Sequence, residues 1–203
     1  MEDMYISKVG CKEHPDIEVG KTYKFAGYDW TVCVTDNECH SAVLQSHGVT
    51  VGRWPGYLMP QFGNGSFYKD SIDGQDIHEY DAKTLALYNV VKEVEDTSTS
   101  YGNGLYLMSS EKSSYTDRQN FDCEILWRAL MAAASNTYSF GLPAYVGIWT
   151  GTVVNDKICA RYVNSWGNVY AFFQDVNSIV APAFNLDLSK VEIECDEIII
   201  KAI

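Results

Sequence analysis

No apolar run in the chain reaches the roughly 18–20 residues that cross a bilayer, and Met1 to Gly20 lacks an apolar core behind a basic start. Membrane insertion and classical secretion are therefore not expected. Basic side chains are scarce as well: 15 Lys and Arg face 27 Asp and Glu, for a formal charge of -12. A field of that sign repels phosphate backbones and anionic headgroups, which argues against nucleic acid as a partner. Histidine is limited to His14, His40, His47 and His78, with no helical i,i+4 pair among them. A zinc site needs three or four convergent ligands. Cys39-His40 with His47 comes nearest, and adjacent residues of a strand face opposite ways. The cysteines at 11, 33, 39, 123, 159 and 195 show no CxxC spacing, and a chain of 203 residues needs no disulfide framework. Reduced, mostly buried thiols are expected. GxSxG, GxxxxGK[ST] and a calcium-loop motif are also missing, and Gly102-Asn103-Gly104 leads into a strand-like run rather than a helix. No metal, no cofactor and no catalytic residue is expected.

What is present is an ordinary globular composition. Apolar residues make up 46% and charged residues 21%, enough for a proper core in one compact domain spanning 1–203. From Val19 to Val49 apolar and polar residues alternate, with Gly27 and Asp36-Asn37 as turns, so the opening reads as a β-meander. Gly52 to Gly74 holds no period and reads as loop. From Asp81, Leu85, Leu87, Tyr88, Val91 and Val94 recur at three and four residues, which predicts an amphipathic helix ending near Asp96. Leu105 to Ser109 reads as a short buried strand. A second helix is predicted from about Phe121 to Ser135, capped at Thr116 or Asp117, striped by Ile125, Leu126, Ala129, Leu130 and Ala133, and stopped by Gly141 and Pro143. The C-terminal third breaks into strand-like pieces, ending in Ile198 to Ile200, which should pair back into a sheet. The fold class is α+β, with two main helices and antiparallel sheets.

Between Trp149 and Val180 the residue types change. Trp166, Tyr170, Phe172 and Phe173 crowd a stretch that also holds Asn155, Asp156, Asn164, Asn168 and Asp175. Aromatics mixed with small polar residues are favoured where a protein contacts a partner. Taken singly, Tyr162, Val169 or Phe172 reads equally well as core. Tyr170 to Phe173 are consecutive, however, and a strand turns about half of such a run away from its core face. Some of these rings are therefore expected in solvent. Asp156, Asp175 and Arg161 read either as directional contacts or as ordinary solvated charges.

Three strings carry a resemblance: Ile148 to Thr152 (IWTGT), Ala160 to Tyr170 (ARYVNSWGNVY) and Val180 to Ile193 (VAPAFNLDLSKVEI), the last being the most specific. Together with VGKTYKFAGYDWTV, DAKTLALYNVVKEVEDT and GNGLYLMSSEK upstream, they resemble a bacterial and phage family over most of the chain. That family is a branch of the formylglycine-generating-enzyme type of C-type lectin fold, and it includes variable proteins of diversity-generating retroelements. The resemblance implies a C-type-lectin-like domain whose segment 149–180 is the hypervariable, receptor- or ligand-binding part. In such proteins error-prone copying at template adenines turns asparagine codons into many residue types. Here a framework of Trp149, Gly151, Val163, Asn164, Ser165, Gly167, Asn168 and Val169 is interrupted at Val153 to Asp156, Ile158, Cys159, Trp166 and Tyr170 to Val176. Trp166 and Lys157 depart from the pattern, because changing adenines alone does not reach their codons from asparagine.

The implied contact set is Val153, Val154, Asn155, Asp156, Ile158, Cys159, Arg161, Tyr162, Trp166, Tyr170, Ala171, Phe172, Phe173, Asp175 and Val176. The implied partner is a protein or surface glycan, met from a phage virion or a bacterial cell. Related folds also include formylglycine-generating oxidases and iron-dependent sulfoxide synthases. Their chemistry needs a close pair of reactive cysteines or a set of iron-holding histidines, whereas Cys159 and Cys195 lie far apart and no histidine follows His78. The expected function is thus non-enzymatic binding. The other reading is a structural phage or bacterial surface protein that buries the same segment against a neighbouring subunit.

Overall fold

The computed structural model describes residues 15–36, 40–54, 82–94, 104–108, 123–143, 146–154 and 159–202. In chain order these form β1 (Thr22–Phe25), β2 (Tyr28–Thr35), β3 (Ser41–Ser46), β4 (Thr50–Gly52), α1 (Ala82–Val94) and α2 (Cys123–Ser135). There follow β5 (Gly147–Val154), β6 (Cys159–Asn164), β7 (Val169–Phe173), β8 (Ser178–Val180) and β9 (Ala183–Asp187). A 3-10 turn (Leu188–Lys190) leads into β10 (Val191–Glu194) and β11 (Glu197–Ile200). The α+β class is as expected. The caps at Thr116 and Asp117 fall outside the described residues, as do the side chains of Leu85 and Leu126.

The strands build two sheets, ordered β10-β11-β1-β2-β3-β9 and β4-β8-β5-β6-β7. The meander β1-β2-β3 is antiparallel, and its first turn has positive φ at both central residues, Ala26 (50°) and Gly27 (83°). That is the turn whose twist matches a two-residue hairpin. Cys195 and Asp196, at φ 48° and 65°, close β10-β11 in the same way. Two pairings depart from the expected antiparallel pattern: β1 runs parallel to β11, and β5 to β8. Each of these pairs is separated by connections long enough for the chain to return in the same direction.

Other boundaries shift for local reasons. Gly52 ends a strand rather than opening a loop, and Leu105 to Met108 are buried but meet β9 through an isolated bridge between Tyr106 and Ala183 rather than along a strand. The apolar run Val180 to Asp187 is shared between the sheets, because the chain changes sheet at Ala181-Pro182. There the Gln45 side-chain amide donates to Ala181 O at 2.6 Å and Ser46 N–H donates to Pro182 O at 2.9 Å. A proline, having no N–H, suits this break between ladders. Helix α2 ends at Ser135 in a series of turns, well before Gly141 and Pro143.

Two apolar clusters lie on opposite faces of the second sheet. The larger joins Trp30, Leu44, Phe184 and Leu186 of the first sheet to Leu87, Val91 and Val94 of α1, and takes Trp149, Ala160 and Val180 from the second. Phe184 is central to it, edge-on to Trp30 at 4.8 Å and stacked on Phe25 at 5.5 Å. The Trp30 indole N–H donates to Phe25 O at 3.0 Å, so its one polar group is satisfied. The other cluster lies under α2, where Ala129, Leu130, Ala133 and Ala134 meet Ile148, Val163 and Ile179. Cys33 belongs there as a small hydrophobe, its thiol pushed up to about 12 by burial. Cys195 departs from the expected burial, because it occupies an exposed turn.

Phe184→Ala is expected to cost about 3–5 kcal/mol in denaturant unfolding, as for other buried aromatic truncations. Ile199→Ala, at an exposed position of β11, should cost within about 0.5 kcal/mol. Equal, small effects at both positions would contradict this placement of the core.

Candidate ligand-binding surface

The β6-β7 hairpin is fixed from beneath by Asn164. Its N–H donates to Asn168 O at 3.1 Å and its carbonyl accepts from Gly167 N–H at 3.0 Å. Gly167, at φ 80°, supplies the left-handed residue that closes a type I turn with a bulge. The Asn164 side-chain oxygen accepts from the N–H groups of Trp166 (3.1 Å) and Asn168 (3.0 Å), although Asn164 itself is only 1% exposed. A buried asparagine thus sets the loop, and the loop lifts Trp166 to 65% exposure.

Beneath the hairpin, β5 is held on every side. A Cβ at Gly147 would sit 1.7 Å from Val163 O, so only glycine allows β6 to approach this closely. The indole N–H of Trp149 donates to Gly52 O at 3.0 Å, and that of Trp54 to Thr150 O at 2.9 Å. Trp54 N–H donates to Gln174 O at 2.9 Å, which ties the chain leaving β7 back to the framework.

Cross-strand pairing sorts the hairpin side chains between two faces. Tyr162 lies opposite Tyr170 and Ala160 opposite Phe172 on one face, while Cys159 lies opposite Phe173, Arg161 opposite Ala171 and Val163 opposite Val169 on the other. On the first face an aromatic row runs outward from the core. Trp149, 1% exposed, meets half-buried Tyr162 edge-on at 6.2 Å. Tyr162 in turn meets Tyr170 at 5.8 Å and Phe172 edge-on at 6.0 Å. Those outer rings are 48% and 44% exposed, and Phe173 on the opposite face is 59% exposed.

The exposure goes further than the alternation of a strand implies. All five residues of β7 are exposed, not half of them. The reason is position: β7 is the sheet's edge strand, and α2 covers Ile148 and Val163 nearer the centre. Tyr170, Ala171, Phe172, Phe173 and Asp175 are therefore brought to one exposed region, with Trp166 at the hairpin tip and Arg161 and Tyr162 half-buried beside them. Cys159 does not join them. It is a buried thiol, and its removal from the surface set is a correction. Val176, like Tyr162, is half-buried and packs against the larger core cluster. Val153 and Val154 lie on β5, but their side chains fall outside the described residues, as do Asn155, Asp156 and Ile158 entirely.

Val169 and Asn168, assigned to the framework in the sequence, prove exposed. The signal for Val169 was its place in the same uninterrupted run as Tyr170 to Phe173. Among the described residues no group of three or more His, Cys, Asp or Glu is placed to hold a metal ion. Comparison of the chain with protein-family models, curated proteins and solved structures finds no match.

Replacing Trp166 or Phe173 by serine should change unfolding free energy by no more than about 0.5 kcal/mol. Tyr170→Ser and Phe172→Ser should each cost roughly 0.2–1 kcal/mol through lost ring contacts with Tyr162. Asn164→Ala should cost more, about 1–3 kcal/mol, by leaving two loop N–H groups without their acceptor. A denaturant series in which the aromatic changes exceed the Asn164 change would contradict this division of labour.

Proposed function

We propose that the protein is a non-enzymatic binding protein with a C-type-lectin-like fold of the formylglycine-generating-enzyme type, and that its 149–180 segment is a retroelement-diversified contact surface. The observation that carries the reading is β7: five consecutive exposed residues, three of them aromatic, on an edge strand whose hairpin is fixed by a buried asparagine. Rigid aromatic rings give large contact area at small entropic cost, and partner-binding surfaces are enriched in them. Leaving three or more such rings in water is costly unless something covers them in use.

Diversification suits this arrangement. Exchanges at Trp166, Tyr170, Ala171, Phe172, Phe173 and Asp175 alter what a partner meets while leaving Trp149, Val163 and Asn164 in place. The partner is a protein or surface glycan, and the charge of -12 favours one that is neutral or basic over an anionic one. The setting is a phage virion or bacterial cell.

Two measurements test the reading. The encoding locus should carry a reverse transcriptase and a near-identical, adenine-rich repeat of the 149–180 coding segment whose differences fall at the exposed positions. A protein and glycan array probed with the wild type should give a ligand whose binding the combined W166S, Y170S, F172S and F173S variant loses at least tenfold while melting cooperatively. A locus without the repeat, together with array binding that survives the four changes, overturns the proposal.

A further inference from the structure

Among the described residues no strand pairs with the outer edge of β7. In an antiparallel ladder hydrogen-bonded and non-hydrogen-bonded pairs alternate. Asn164 and Asn168 bond to each other at the hairpin end, so Tyr162–Tyr170 and Ala160–Phe172 are the next bonded pairs. Val169, Ala171 and Phe173 then turn their N–H and C=O groups outward. Among the described residues only the Phe173 carbonyl of this outer row has a partner, Val176 N–H at 3.2 Å.

Edge strands are ordinarily blunted by a charge, a proline or a bulge. The run Val-Tyr-Ala-Phe-Phe has no charge and no proline, and its register with β6 is unbroken. It is also nearly symmetric about Ala171: an aromatic stands on each side, Tyr170 and Phe172, and a larger apolar residue beyond each, Val169 and Phe173. Ala171 belongs to the outward-facing set, which is the condition for a two-fold axis through a bonded antiparallel pair.

We infer that β7 is the pairing edge for a second copy of this chain, joined antiparallel about a two-fold axis at Ala171. Ala171 N–H and C=O exchange bonds with the same groups of the other copy, and Phe173 N–H meets the other copy's Val169 carbonyl. Tyr170 falls opposite Phe172 of the second copy on one face, and Val169 opposite Phe173 on the other, pairings of the aromatic and β-branched kind that stabilise strands. The two five-stranded sheets become one, and the row Trp149, Tyr162, Tyr170/Phe172 continues into its rotated copy across the axis. The closed point symmetry leaves no β7 edge for further growth. The consequence for ligand binding rests on the proposed function: the contact face becomes a bivalent platform twice as wide. The pairing itself does not depend on that reading.

A position on the two-fold axis faces itself, which makes the test specific. Wild-type protein should show a concentration-dependent mass in sedimentation equilibrium, rising from monomer to dimer across the micromolar range, as befits a small interface. A171K and A171E should each weaken dimerisation at least tenfold, because each places like charges in direct opposition. An equimolar mixture of the two should restore the dimer. Arg161 lies opposite Ala171 on β6, so A171E is the variant whose own fold is best supported, and a melt of each variant checks it. If A171K is unfolded, Y170K supplies the second variant: it weakens dimerisation alone and is rescued by F172E. A wild type that stays monomeric throughout, a dimer indifferent to charge at 171, or a mixture that fails to reassociate overturns the pairing. Array binding by the wild type at concentrations where it is monomeric leaves the binding proposal standing, so the two can fail separately.

Discussion

The burial of β5 on both faces is the constraint on which the rest of the second sheet depends. Trp149 turns into the cluster shared with the first sheet, and Ile148 into the cluster under α2. Gly147 brings β6 so close that no side chain fits between them. With β5 pinned, β6 inherits half of that cover: Ala160 and Val163 are buried, while Arg161 and Tyr162 are half-buried. At β7 the cover has run out. The change from buried to exposed across three neighbouring strands therefore follows from distance to the core, and the aromatic row from Trp149 through Tyr162 to Tyr170 traces it.

This gradient separates stability from surface identity. Side chains at the sheet's centre carry apolar burial, which falls by about 0.8 kcal/mol for each methylene lost, before any cavity term. Those at its edge have little burial to lose. Asn164 is the joint between the two regimes, because it is buried like a core residue yet holds the loop that lifts Trp166. A surface built this way tolerates exchange of its side chains provided that the asparagine, Gly167 and the β5 anchors remain.

Much of the fold was legible because periodicity reports which face is covered. The opening meander, both helices and the terminal strand follow directly from alternation or from three- and four-residue spacing. Legibility failed where a neighbour distant in sequence decides the outcome. Parallel pairing of β1 with β11 and of β5 with β8 leaves no local trace, and the change of sheet at Ala181-Pro182 is marked only by the proline. Cys159 could not be separated from Phe173 by residue type, since the two share a face and differ in how near the end of the sheet their strands lie. The full exposure of β7 was hidden for the same reason: sequence gives a strand's two faces but not its place at the edge of a sheet. The aromatic crowding at Trp166 to Phe173 did mark the surface, because that composition suits a contact site poorly hidden in a core.

The most direct measurement of the central claim is a saturation scan of residues 147–180 read by folding alone, such as protease resistance of a displayed library. Broad tolerance is expected at Trp166, Tyr170, Ala171, Phe172 and Phe173, and sharp intolerance at Gly147, Trp149, Ala160, Val163 and Asn164. Intolerance spread evenly across both groups would contradict it, because the rings of β7 would then be holding the molecule together.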